Sequence, residues 1–297
     1  MRIIDRLLAP EPSFSFEFFP PKTPRGVDSL FETMRELRPL QPGFVSVTYP
    51  GSATATPDQE TESRRALTLD LTRRIRAETG VEAMAHLTCS AQTGDQLAAI
   101  LDRLAAEGAD NVLALRGDPP GTGGFVPAPG GFSNAIELVR LVRERAPRFC
   151  VGAACYPETH VECPDPALDI ERLKKKVDAG VDFLVSQLFF DNRCWVDFME
   201  RVRAAGIEVP VVPGLMPVTS REGVLRMTTL SGATIPDDLG RRLEKHADDE
   251  EAILQVGIEH TTAQALELLA MGVPGIHFFT LNRSRATVEI VARVRAA

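Results

Sequence analysis

Short runs of apolar, β-favouring residues recur along the chain, and amphipathic helical patterns fill most of the intervals between them. The runs are Phe14–Phe18, Phe44–Thr48, Glu82–Leu87, Asn111–Leu115, Cys150–Cys155, Phe183–Leu188, Val209–Pro213 and Ile276–Thr280. Their near-continuous apolar character is that of strands covered on both faces, as parallel sheets are. Between the first two, Val27, Leu30, Phe31, Met34 and Leu37 recur at spacings of three and four. That spacing predicts a helix with one apolar stripe against the sheet. Leu97, Ile100, Leu101 and Leu104 repeat the pattern, and Ile253 to Leu269 and Val288 to Val294 read as further helices. The last crossover is long and predicts extra helical turns around Ser231 to Glu251, an acidic insertion that reads as a solvated surface feature.

Strands alternating with helices build either a closed barrel or an open doubly wound sheet, and the glycines separate the two. A dinucleotide-binding open sheet shows GxGxxG directly after its first strand, whereas here Phe18 runs into Phe19-Pro20-Pro21, which cannot cradle a pyrophosphate with backbone amides. The cluster Gly121-Thr122-Gly123-Gly124 leads into Pro127 and Pro129 rather than a helix, and reads as an ordinary loop. The expectation is therefore an α/β chain in which residues 1–297 form one (β/α)8 TIM barrel, with extra helical elements before the last strand.

Composition narrows the function classes. Hydrophobic residues make up 44% and charged residues 25%, and no apolar stretch approaches the roughly 18 residues of a membrane span. The N-terminus carries no export-signal pattern, which points to the cytoplasm. The net charge of −8, with basic residues scattered, argues against a nucleic-acid surface. The 5 cysteines form no CxxC pair, and Thr159-His160-Val161-Glu162-Cys163 lacks the PCxxC partner of a zinc deaminase, so no metal site is expected.

In a barrel the loops after the strands share one face, and polar side chains recur there. Glu17 lies in the first strand, Thr48 ends the second, His86 and Thr88 end the third, and Arg116-Gly117-Asp118 follows the fourth. Tyr156 and His160 follow the fifth, Gln187 lies in the sixth, and Asn282-Arg283 follows the eighth. Glu17 stands among aromatics, where an unpaired charge is costly. It is either a general acid whose pKa is raised by desolvation or a buried carboxylate bonded to an amide or an arginine. Asp118 is either an active-site carboxylate or a turn-former paired with Arg116. His86 and His160 read as ligand contacts or as structural histidines. Of Lys174-Lys175-Lys176, at least one faces solvent.

Ser15-Phe-Glu-Phe-Phe-Pro-Pro21, Phe44-Val-Ser-Val-Thr-Tyr49, His86-Leu-Thr88, Ala114-Leu-Arg-Gly-Asp118, Tyr156-Pro-Glu158 with His160, Lys174-Lys-Lys-Val-Asp-Ala-Gly180, Gln187-Leu-Phe-Phe-Asp191 and Thr280-Leu-Asn-Arg283 follow one another in order. Together they resemble the methylenetetrahydrofolate reductase family over nearly the whole chain, in its bacterial, catalytic-domain form. The resemblance implies a (β/α)8 flavoenzyme that reduces 5,10-methylenetetrahydrofolate to 5-methyltetrahydrofolate, with hydride passing from NADH or NADPH through FAD. It makes Glu17 the general acid and places Asp118 near flavin and pterin. Thr48, Tyr49, His86, Arg116, Gly117, Asp118, Phe132, Tyr156, His160, Asp169, Arg172 and Lys176 match flavin-lining positions, and Gln187 and Arg283, with Asp118, match folate-contacting ones.

This chain departs from the family pattern at Gly223 and Met227, where a glutamine and an aromatic are usual, at Phe132 in place of a tyrosine, and at Tyr49-Pro50-Gly51. The resemblance also implies a homo-oligomer, dimer or tetramer, and none of the S-adenosylmethionine feedback of larger relatives. Two rival readings remain at this point. One is a barrel reductase fed by a partner protein, and the other is a non-catalytic flavin- or folate-binding subunit.

Overall fold

The computed structural model describes residues 1–51, 58–118 and 124–297. Its strands are β1 (Ser13–Phe18), β2 (Phe44–Val47), β3 (Ala83–Thr88), β4 (Asn111–Leu115), β5 (Cys150–Cys155), β6 (Phe183–Leu188), β7 (Val211–Leu215) and β8 (Gly275–Phe279). The helices are α1 (Ile3–Leu7), α2 (Pro24–Leu37), α3 (Gln59–Thr79), α4 (Gly94–Ala106), α5 (Ala135–Arg145), α6 (Pro166–Asp178), α7 (Asn192–Ala204), α8 (Arg221–Ser231), α9 (Asp237–Lys245), α10 (Glu250–Ala270) and α11 (Arg285–Ala296). All strand pairs are parallel, neighbours in sequence are neighbours in space, and β1 closes against β8, which makes the expected (β/α)8 barrel. Of the glycine cluster at 121–124, only Gly124 lies within the described residues.

Alternation along each strand sorts the side chains into two cores. Phe14, Phe16 and Phe18 of β1, Val45 and Val47 of β2, and Ile276 and Phe278 of β8 join the layer between barrel and helices. The opposite parity forms the barrel interior. Its lower part is apolar, with Phe44, Met84, Leu113, Phe183 and Val212 packed together, and α1 plugs that end with Ile3, Ile4 and Leu7. The interior is narrow enough that Gly152 has no room for a side chain: a Cβ there would lie 2.7 Å from the Phe183 ring and 2.9 Å from Leu113.

Local chemistry fixes the helices. Thr23 caps α2 ahead of Pro24, and Leu30, Phe31, Met34 and Leu37 are buried as the spacing predicts. Thr93 and Gln96 form a capping box at the start of α4. The insertion from Ser231 to Glu251 differs from its sequence reading. It forms α9, whose Leu239 and Leu243 are buried in a satellite core with Met216, Val218, Val224 and Ile253. One turn's spacing between two leucines is enough to dock an otherwise acidic segment.

Replacing Gly152 by alanine is expected to cost about 1–3 kcal/mol of stability, since the methyl group overpacks the rings of the inner layer. Urea unfolding measures this, and an unchanged midpoint would show that the inner layer yields more than its spacing implies.

Candidate active site

At the C-terminal ends of the strands lies a cavity of about 930 Å³, walled by residues from every strand or the loop that follows it. Of the residues proposed from sequence, Glu17, Thr48, Tyr49, His86, Arg116, Gly117, Asp118, Tyr156, His160, Gln187 and Arg283 all line it. Four do not reach the wall. Phe132 packs over Gly94 at the start of α4, and Arg172 is exposed on α6. Lys176 turns inward to donate to the Ala154 carbonyl at 2.8 Å, while Asp169 sits behind His160 and accepts from its backbone amide. Lys174 and Lys175 pair with Asp178 and Glu171 on the outer face of α6.

Glu17 occupies the floor. Strand register sets Ser46 beside it and places His277 beside Ser15. The His277 Nε2 lies 3.6 Å and the His86 Nε2 3.5 Å from the Glu17 carboxylate. The other His277 nitrogen, Nδ1, is held at 2.8 Å by the Ser15 hydroxyl. Burial, the strongest single influence, pushes the Glu17 carboxyl up. The adjoining His277, the positive charges of His86 and His277, and the Ser46 hydroxyl outweigh it and hold the group below the ordinary carboxylate value. This corrects the expectation of a raised pKa: a desolvated strand carboxylate is not alone here. Burial also pushes His86 down, to about 4, so at neutral pH its charge is absent and the depression of Glu17 rests on His277 and Ser46.

Gly117 adopts a positive φ of 84° directly after β4, and a Cβ there would lie 3.0 Å from both Ser90 and Thr88. That turn brings Asp118 to the rim, where its side chain is exposed. Arg116 is engaged by both oxygens of Glu162, at 2.5 and 2.9 Å, and lies over the Phe125 ring. The reading of Asp118 as a turn-former paired with Arg116 therefore gives way. Tyr156 and His160 meet edge-on at 4.6 Å. Burial and the nearby Arg116 lower the His160 pKa. Burial raises Tyr49 to about 12, so its hydroxyl, bonded to Gln92 at 3.3 Å, stays protonated.

The rim is stapled between β1 and β8. Leu281 and Asn282 both have positive φ, 51° and 59°. Such a conformation costs about 1–3 kcal/mol per residue and persists only where its surroundings hold it. Here the Asn282 amide exchanges two hydrogen bonds with the Phe19 backbone, at 2.8 and 2.9 Å, and Thr280 donates to the Glu17 carbonyl at 2.6 Å. On α8, Ser220 caps the helix by accepting from the Gly223 amide, and a Cβ at Gly223 would lie 2.6 Å from that hydroxyl. Gly223 and Met227 therefore leave this stretch of wall without a ring or an amide side chain.

Two buried polar atoms in the wall, His86 Nε2 and Thr88 Oγ1, have no hydrogen-bond partner among the described residues. Together with the size of the cavity and the cations around it, they fit a large polar ligand such as a flavin. Sequence reasoning missed Ser15, Ser46 and His277, and on the wall Arg64 and Arg226. The signal for Ser15 was the strict alternation of Ser13-Phe-Ser-Phe-Glu-Phe18, which puts its polar parity inside the barrel; Ser46 and His277 share that parity only through the pairing of β1 with β2 and β8.

The sequence profile described as methylenetetrahydrofolate reductase matches residues 2–295. The chain belongs to the methylenetetrahydrofolate reductase family. A Zea mays relative named methylenetetrahydrofolate reductase (NADH) 1 is 36% identical over 98% of this chain. The Escherichia coli protein named 5,10-methylenetetrahydrofolate reductase is 35% identical over 93% of this chain and 88% of its own. This family member spans about half the length of the curated plant relatives it matches, 50% for the maize protein. A Clostridium thermocellum protein described as binding two copies of 5-methyl-5,6,7,8-tetrahydrofolic acid shares the fold, with a TM-score of 0.66, 15% identity and coverage of 98% of this chain and 97% of that one. A Mycobacterium tuberculosis tryptophan synthase chain also shares it, with a TM-score of 0.56, 17% identity and coverage of 99% and 96%.

His86 carries a pH signature into stability. Its folded pKa of about 4 lies below the ordinary imidazole value of 6.5, so between these values the unfolded chain binds the extra proton. Stability is fully present above about pH 6.5 and is lost as pH falls toward 4, by on the order of 1–3 kcal/mol. Unfolding free energies across that range should flatten in His86→Asn; an unchanged slope would place the titration elsewhere.

Proposed function

We propose that this chain is an NADH- or NADPH-dependent, FAD-containing reductase that converts 5,10-methylenetetrahydrofolate to 5-methyltetrahydrofolate. The observation that carries the reading is Glu17: a nearly buried carboxyl group on the floor of a large cavity, adjoined by His277. Family membership supports the reaction class.

Bound FAD supplies the two-electron relay from nicotinamide to folate. Thr48, Tyr49, His86, Arg116, Gly117, Asp118, Tyr156 and His160 are the wall residues that would hold it. Asp169 and Lys176 would support that wall from behind, and Phe132 and Arg172 need a shift in their loop or side chain to touch it. Gln187, Asp118 and Arg283 would contact the folate.

Opening the methylene bridge requires a proton on the departing nitrogen of the folate and leaves an electrophilic iminium that accepts the hydride. Glu17 is placed to give that proton. Its carboxylate lies 3.6 Å from His277 Nε2. A folate seated over the floor removes the remaining water and strengthens the upward push of burial, so the carboxyl takes up a proton as the substrate arrives. His277, anchored by Ser15, restores it from the other side. Asp118 sets an exposed carboxyl group at the rim, suited to orienting the pterin.

Anaerobic NADH or NADPH should bleach the flavin band of the purified protein, and methylenetetrahydrofolate should restore it. Glu17→Gln should keep the bleaching and slow the restoration about a hundredfold or more, since only the second half needs the acid. Equal loss of both halves rejects the role of Glu17. A flavin that only a protein donor reduces rejects the nicotinamide assignment.

A further inference from the structure

Two consecutive arginines in the second turn of α3 have opposite fates. Arg65 is buried and braces the loops, donating to the carbonyls of Pro50 at 3.3 Å, Ser90 at 2.8 Å and Ala91 at 3.5 Å and to Glu62 at 2.9 Å. Arg64 lines the cavity beside Tyr49, Pro50 and Gly51. It is half-buried, and its Nε is shut off from water without a hydrogen-bond partner among the described residues. No carboxylate among the described residues pairs with it, and residues 52–57 and 119–123 include no aspartate or glutamate. A guanidinium N–H that is dry and unmatched is destabilising. Side chains that protein groups can satisfy are normally satisfied.

We infer that Arg64 is an anion-binding side chain of the active-site cavity that receives a phosphate or carboxylate group of a substrate. Its position sets it apart from the other cations. Arg116 and His160 belong to the loops after β4 and β5, and Arg116 is already neutralised by Glu162. Arg226 and Arg283 lie after β7 and β8. Arg64 follows β2, and so addresses a different end of whatever fills the cavity. A planar fork of donors suits bidentate recognition of phosphate or carboxylate. The inference rests on the reductase reading, in which both the nicotinamide dinucleotide, through its phosphates, and the folate, through its glutamate, bring such a group.

The test compares the flavin-loaded wild type with Arg64→Gln and Arg64→Lys. Equilibrium titrations with NAD+, NADP+ and 5-methyltetrahydrofolate are read beside KM, kcat, flavin content and Tm. Arg64→Gln should weaken one of the ligands about tenfold or more and raise the matching KM, with kcat and flavin content unchanged and Tm equal or higher. Arg64→Lys should recover part of the loss, and added salt should shrink the difference. The ligand affected names the source: a dinucleotide phosphate or the folate tail. Unchanged affinity for all three, a loss confined to FAD, or a uniform decline with lowered Tm overturns the assignment. A wild type that binds none of the three fails the reductase reading itself, and the role of Arg64 with it.

Discussion

A carboxylate lifted out of water inside a closed barrel must be answered by its neighbours, and the upper half of this molecule is organised by that requirement. An uncompensated ion at such depth costs several kcal/mol. Glu17 is compensated only because three strands converge on it: β1 presents it, β2 brings Ser46 and β8 brings His277, while β3 sets the uncharged His86 alongside. Closure of β1 against β8 is therefore a condition of the chemistry as well as of the fold. The strained Leu281-Asn282 turn, the Asn282 clasp on Phe19 and the Thr280 bond to the Glu17 carbonyl all secure that one seam.

The barrel separates stability from function along its axis. Below Glu17, apart from Ser13 and Ser15 of β1 and His277 of β8, the inward side chains named above are large and apolar, and α1 closes that end, so the lower layer resembles an ordinary core. Above it the inward positions become serine, histidine, threonine and glutamine. A polar layer at this depth holds only because the layer beneath is tightly filled: Gly152 gives its space to Phe183 and Leu113, and little play is left for the strands to shift register. The same pleat that buries phenylalanines against the helices thus aims the polar parity into the cavity.

Strand positions were legible because burial on both faces leaves an unmistakable apolar run. Boundaries were less so. The seventh run reads as Val209–Pro213, but the strand is Val211–Leu215, since the stretch from Val209 to Val218 is apolar apart from its prolines and Thr219 ends it only later. In the site, residues in the loops after the strands were found, as were Glu17, His86 and Gln187 near the strand ends, while His277 and Ser46 inside the strands were missed. A polar residue within a strand reads as core until the parity of its neighbours is followed across the pairing. Phe132, Asp169, Arg172 and Lys176 show the converse limit. Sequence correspondence places a residue on the right element, but the rotamer and the packing decide whether its side chain reaches the cavity. In α9 the surrounding charges hid two leucines one turn apart.

Charge is distributed against the molecular average. The chain carries a net −8, yet the described part of the cavity rim holds Arg64, Arg226 and Arg283 without carboxylate partners. At physiological ionic strength the outer acidic surface is screened over about 8 Å, so an anionic ligand is repelled weakly at long range. Inside that distance it meets the arginines in a concave, low-dielectric setting, where a local field acts more strongly than the total charge suggests. Arg116 adds little to this field, being neutralised by Glu162. An acidic protein can therefore draw anionic substrates to one face and shed uncharged or cationic competitors, provided the rim cations are kept unpaired. The absence of an acidic partner at Arg64, which looks like a defect in the packing of α3, is what that arrangement requires.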